Sequence, residues 1–129
     1  MKVSVIITCY NEANYIRDCI LSVFEQSEFR FIKEILVIND GSTDNTENIL
    51  YDLSKKHRKL KIFNTQNNGL PSARNLGIKN SSGEYLAFLD ADDYWLKDKI
   101  KDQLVLINKR KDINLIYTNY FDFTDDNIK

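Results

Sequence analysis

The chain holds 129 residues, with 18 Lys or Arg against 19 Asp or Glu and a formal charge of −1. That length supports one domain able to bury about two-thirds of its unfolded surface without staples, and so even a charge balance excludes a bulk field that would recruit nucleic acid. No stretch approaches the roughly 18 apolar residues of a membrane span, and Met1-Lys2 lead into a strand pattern with no signal peptide, so the expected location is cytoplasmic.

The first predicted element, residues 3–9 (Val-Ser-Val-Ile-Ile-Thr-Cys), is β-branched and apolar and reads as a central strand. Asn11-Glu12-Ala13-Asn14 then opens a helix carrying Ile16, Ile20, Val23 and Phe24 at helical spacing. Cys9 ends the strand and Cys19 lies on the apolar face of that helix; two cysteines so placed build no zinc framework and read as reduced core residues. Residues 35–38 form a second strand, which empties into Asn39-Asp40-Gly41-Ser42-Thr43-Asp44. A helix with Ile49, Leu50 and Leu53 on one side follows, up to the basic run Lys55-Lys56-His57-Arg58-Lys59.

Residues 60–63 make a short third strand and Asn67-Asn68-Gly69 a turn. Residues 71–78 are a helix with Pro71 in its first turn, broken by Ser81-Ser82-Gly83. Residues 85–89 (Tyr-Leu-Ala-Phe-Leu) are a fourth strand, Leu96, Ile100, Leu104 and Ile107 trace an amphipathic helix, and residues 113–117 are a last strand. Strands alternating with helices predict an α/β architecture, a mostly parallel sheet flanked by helices with right-handed crossovers. The basic runs at 55–59 and 109–111 each follow a helix, where cations suit the C-terminal dipole; contact with anionic lipid is the second reading. The tail, residues 121–129, is polar and ends without a capping element, as in a chain cut short or a flexible native terminus.

The chemistry gathers where the fourth strand meets Asp90-Ala91-Asp92-Asp93. So continuous an apolar run predicts a strand covered on both faces, with its acids entering the crevice at the strand ends. Adjacent carboxylates repel, and a divalent cation relieves them: one pair of unit charges at about 4 Å and an effective dielectric of roughly 20 interacts by about 4 kcal/mol. With oxygen ligands and no neighbouring His or Cys, the ion is Mg or Mn rather than Zn. Asp93 alone reads as a helix N-cap; Asp90 and Asp92 together read as metal-linked.

In a parallel sheet the other strand ends converge on the same crevice, bringing Thr8, Tyr10, Glu12 and Asp40. A carboxylate such as Asp40 accepts an N–H, and Tyr10 offers a ring to a flat heterocycle, so the metal would face a diphosphate. Ser42 reads equally as a turn and N-cap residue. Arg74, after a glycine turn, either reaches base or phosphate or is an ordinary surface arginine, the simpler reading. The four glycines, at 41, 69, 77 and 83, build neither G-x-G-x-x-G nor a P-loop, which excludes dinucleotide and ATP-hydrolysing sites. The only histidine, His57, sits in a basic helix end, away from this chemistry.

Four motifs in order carry a resemblance: residues 3–12 (VSVIITCYNE), 38–46 (INDGSTDNT), 68–75 (NGLPSARN) and 89–93 (LDADD). Together they resemble the successive signatures of family 2 glycosyltransferases, whose fold is GT-A, a Rossmann-like, mostly parallel sheet. The resemblance implies one nucleotide-sugar-binding domain over residues 1–129, with Thr8, Tyr10 and Glu12 lining the nucleoside pocket and Asp40 taking the uracil N–H. It places Arg74 near the base, Asp90 near the ribose or sugar, and Asp92 on Mn or Mg. Asn39 stands where family members often carry a second acid.

It implies further that a sugar passes from a nucleotide-diphosphate sugar to a carbohydrate or glycolipid acceptor with inversion; the fit of Asp40 favours UDP, with thymine and guanine nucleotides as the other readings. The setting would be polysaccharide assembly, with a longer parent in peripheral membrane contact. The general base is expected beyond Lys129, so no catalytic residue is assigned here and the chain alone is expected to be inactive. Three rivals use the same features. A haloacid-dehalogenase-like phosphatase carries its D-x-D on the first strand, whereas here it ends the fourth. A receiver-like domain would need acids at the end of the first strand, which offers only Glu12. A non-catalytic nucleotide-binding module shares the donor site and lacks only the base.

Overall fold

The computed structural model describes residues 1–124 and 127–128. Its sheet has four parallel strands, β1 (Val3–Cys9), β2 (Ile32–Asn39), β3 (Leu60–Asn64) and β4 (Tyr85–Asp90), in the order β3-β2-β1-β4. Four helices flank it: α1 (Ile16–Phe24), α2 (Thr46–Lys56), α3 (Leu70–Asn80) and α4 (Lys99–Lys109). A 3₁₀ turn, Phe29–Phe31, leads into β2, and a short antiparallel pair joins β5 (Phe123–Thr124) to β6 (Asn127–Ile128). Among the described residues no helix is long and apolar enough to cross a membrane.

Strand periodicity sorts the side chains onto two faces. Val3, Val5, Ile7 and Cys9 of β1 join Ile35, Val37, Leu60 and Leu89, and helices α1, α2 and α4 close over them with Ile16, Ile20, Val23, Leu50, Leu53, Ile100 and Leu104. The opposite face carries Ile6, Leu36 and Ile38, all fully buried, and α3 packs across β1 and β2 there. That packing depends on a missing side chain: a Cβ on Gly77 would stand 2.5 Å from Ile6 Cγ2.

Three expectations are corrected. Residues 113–117 form no strand; Leu115 and Tyr117 are 82 % and 87 % exposed, and a strand without ladder partner or covering layer has nothing to hold it. β4 is not covered on both faces either: Leu86 and Phe88 are 39 % and 46 % exposed, because β4 is the sheet's edge among the described residues and α3 leans over β1 and β2 instead. The first helix starts at Ile16 rather than near Asn11, whose φ of 58° is left-handed and cannot begin a helix.

Candidate donor site

The carboxyl ends of β1, β2 and β4 open on one cleft lined by Thr8, Cys9, Tyr10, Glu12, Asp40, Leu70, Ala73, Asp90, Ala91 and Asp92. Thr8, Tyr10, Glu12, Asp40, Asp90 and Asp92 therefore meet there. Arg74 does not line the cleft, but from α3 its Nη2 donates to Asp90 Oδ1 at 2.8 Å. The parallel register explains the convergence: Thr8 pairs with Asp90 on one side and Ile38 on the other, so all three strands end at one level.

Asp40 is 5 % exposed and already engaged. Its Oδ1 accepts from Thr65 Oγ1 at 2.5 Å and from the Asn68 amide at 2.8 Å, and its Oδ2 accepts from the Gly69 amide at 2.8 Å. Burial raises its pKa, but these three bonds outweigh burial and leave it below the ordinary carboxylate value. An ionised carboxylate has about four lone-pair sites, so Asp40 both ties down the loop before α3 and keeps room on Oδ2 for one more donor.

The walls carrying Tyr10 and Glu12 are bolted to the loop after β2. The Asn11 amide donates to Ser42 Oγ at 2.9 Å, the Glu12 amide to Thr46 Oγ1 at 2.9 Å and the Ala13 amide to Asp44 Oδ2 at 3.1 Å. In return Asn11 Oδ1 accepts from the Thr43 amide at 2.7 Å and the Asp44 amide at 3.3 Å. Ser42 is thus a bridge between loops and not the N-cap of α2, which begins at Thr46. Sequence reasoning missed Asn11, Asp44, Thr46 and Thr65 as site supports. Asp44 two residues before Thr46 looks like local capping, and nothing in one sequence says that the same carboxylate also reaches across to Ala13.

Apart from the Arg74–Asp90 pair, the acids are uncompensated among the described residues. Burial first, then the charges of Asp92 and Asp44, raise the Glu12 pKa; burial first, then Asp92, Asp90 and Asp122, raise that of Asp93. Arg74 answers Asp90, whereas Asp92 has no ion pair among the described residues. No set of three ligating groups forms a ready-made cage among them. Mg and Mn do not require one, since they retain waters and take substrate phosphate oxygens beside one or two carboxylates. Asp92, exposed and repelled by its neighbours, fits that role. The two thiols do not: burial pushes Cys9 up to about 12, with Glu12, Asp44 and Asp40 adding to it, and burial raises Cys19 as well.

The family description "Glycosyl transferase family 2" matches residues 4–128. The chain belongs to that family. It is 45 % identical over 118 residues to the uncharacterized glycosyltransferase RC0461 of Rickettsia conorii, covering 92 % of this chain and 18 % of that protein. Among solved structures, S. aureus TarS 1–349 in complex with UDP-GlcNAc superposes with a TM-score of 0.74 at 35 % identity, over 84 % of this chain and 32 % of TarS. The mannosyltransferase PcManGT of Pyrobaculum calidifontis, in complex with GDP-Man and Mn2+, gives 0.75 at 25 % identity over 82 % of this chain and 32 % of its own. The four-stranded family 2 domain is a GT-A fold, as these neighbours are, and it spans less than half of each of the three proteins.

Proposed function

We propose that this family 2 domain is the donor half of a glycosyltransferase, binding a nucleoside-diphosphate sugar, UDP-linked in the first instance, for inverting transfer to a carbohydrate or glycolipid hydroxyl. The observation that carries it is the pairing, in one cleft, of Asp40 with capacity for one further N–H and Asp92 with no cationic partner. Uracil offers its single N3–H to Asp40, Tyr10 stacks beside the base, and Thr8 and Glu12 line the nucleoside wall. Guanine presents two adjacent donors where Asp40 has one place left. The binding of UDP-GlcNAc by TarS supports a UDP sugar, and the Mn2+ complex of PcManGT supports a metal-assisted site.

Asp92 would hold Mn or Mg against the diphosphate, and that ion supplies electrostatic stabilisation of the departing nucleoside diphosphate. Asp90, steadied by Arg74, faces the ribose or sugar. The acceptor-activating base is assigned beyond Lys129, so the isolated chain binds donor but transfers sugar negligibly. The D-x-D ends the edge strand β4 and not the first strand, which disfavours the phosphatase reading.

A melting scan with UDP, with and without Mn, tests this. Ligand at about 100 times its dissociation constant adds roughly 2.7 kcal/mol, several degrees for a domain of this size. The shift is expected to need both ligands and to vanish in Asp92→Asn. An equal shift with UDP alone in that variant refutes the metal role, and hydrolysis of a generic phosphate ester would restore the phosphatase.

A further inference from the structure

The near-zero net charge conceals a segregation that the topology enforces. All four strands run the same way, so their amino ends, together with the carboxyl ends of α2 and α3, lie opposite the acidic cleft. Lys2 stands just before β1, Arg30 in the turn before β2, Lys33 in β2, Lys56 at the end of α2, and Arg58 and Lys59 before β3. Hydrogen bonds place these segments side by side. Lys2 Nζ donates to the Arg30 carbonyl at 3.2 Å, Lys33 Nζ to the Ser82 carbonyl at 2.9 Å, and Lys59 Nζ to the Ile32 carbonyl at 2.6 Å.

Most acids at this end are already matched, the exposed Glu25 at the end of α1 being the exception. Glu28 pairs with Arg30, Asp52 with Lys55, the buried Glu34 with Lys61, and Glu84 with the amino terminus. Lys2, Lys33, Lys56 and Arg58, all exposed, have no carboxylate partner among the described residues. Helix-dipole compensation covers Lys56 and Arg58 at the end of α2, whereas Lys2, before β1, and Lys33, in β2, lie on no helix. Four strand starts span only about 14 Å at the usual strand spacing, so the uncompensated charges share one edge.

We infer that this end of the domain docks on an anionic bilayer surface, leaving the acidic cleft facing solution. Two features favour lipid over an acidic protein or nucleic acid. The cations lie along a broad edge that one plane can meet at once. Two further cations lie over half-buried rings, Arg30 above Phe31 with 5.0 Å to the centroid and Lys59 above Phe29 with 4.3 Å; such paired apolar rings and cationic tips suit the headgroup boundary. The inference is independent of the donor-site reading, because none of these residues touches the cleft.

The test is co-sedimentation of the purified chain with phosphatidylcholine vesicles, with and without phosphatidylglycerol. Binding is expected only with phosphatidylglycerol and is lost in about 0.5 M salt, where screening reaches only a few ångströms. Each lysine or arginine at the surface contributes roughly fivefold to partitioning, so Lys56→Ala/Arg58→Ala weakens binding about 25-fold. Arg17→Glu, in the first turn of α1 at the cleft end, changes net charge by the same amount and leaves binding close to the parent's. Melting curves check that both variants are folded. Equal binding to neutral vesicles, no binding to charged ones at low salt, or an equal loss in Arg17→Glu overturns the inference. So does retention on polyglutamate without vesicle binding, which would assign the surface to an acidic protein.

Discussion

Neutralising Glu34 is expected to remove a pH-dependent part of the stability of this domain. The side chain is buried between β1, β2 and the turn before β4. Its Oε1 accepts from Ser4 Oγ, the Ser82 amide and Ser82 Oγ, each at 2.7 Å, and its Oε2 accepts from Lys61 Nζ at 2.7 Å. Burial disfavours the charge, but the bonds from Lys61, Ser4 and Ser82 outweigh it and bring the pKa down to about 2 from 4.5. That gap, at roughly 1.4 kcal/mol per pKa unit, amounts to about 3.4 kcal/mol. Lys61 is half-exposed, and solvent screens its share, so about 2 kcal/mol is the expected contribution.

Because the folded pKa lies below the unfolded one, the contribution is complete above pH 4.5 and disappears as the pH falls through 2. Urea melts of the parent and Glu34→Gln, taken from pH 7 to pH 2.5, measure it. The variant is expected to be about 2 kcal/mol less stable at neutral pH, with the difference shrinking below pH 4.5. A difference constant from pH 6 to pH 3, or a variant more stable at pH 7, refutes the reasoning.

Gly77→Ala forces a methyl to within 2.5 Å of Ile6 Cγ2, so α3 must shift; a loss of about 1–3 kcal/mol in a denaturant melt is expected. Thr46→Ala removes the acceptor for the Glu12 amide and should cost about 1 kcal/mol in the same assay, while weakening UDP binding by calorimetry more than Thr43→Ala does. Tyr117→Ser changes a side chain 87 % exposed and should leave stability within about 0.5 kcal/mol.

The strands and helices that the sequence announced by periodicity are those with a neighbour to bury against. Ile16, Ile20 and Val23 repeat at helical spacing because they close over β1, and Val3, Val5 and Ile7 alternate with residues under α3. Residues 113–117 carry the same apolar signature without a neighbour, and periodicity cannot report whether a partner is there. The cleft was legible as strand ends, since a parallel sheet must deliver Thr8, Asp40 and Asp90 to one side. Its supports were not. Asp44, Thr65 and the φ of Asn11 act across gaps of 25 to 33 residues in hydrogen bonds, and a local reading assigns such polar residues to turns. The pairing of Arg74 with Asp90, two residues expected to serve the ligand separately, was likewise visible only once α3, packed over β1 and β2, brought Arg74 within reach of the end of β4.

On the proposed reading of the cleft, Asp40 would make the base pocket and the entry to α3 share one carboxylate. A donor arriving on its Oδ2 stabilises the ionised, oriented group that already holds the Asn68 and Gly69 amides, and by thermodynamic reciprocity those amides hold the group in place for the donor. Hydrogen exchange at Asn68 and Gly69 and the affinity for nucleotide are therefore two readouts of one coupling free energy. On that reading, a substitution that loosens the turn would be felt as a weaker base site even where it touches no ligand atom.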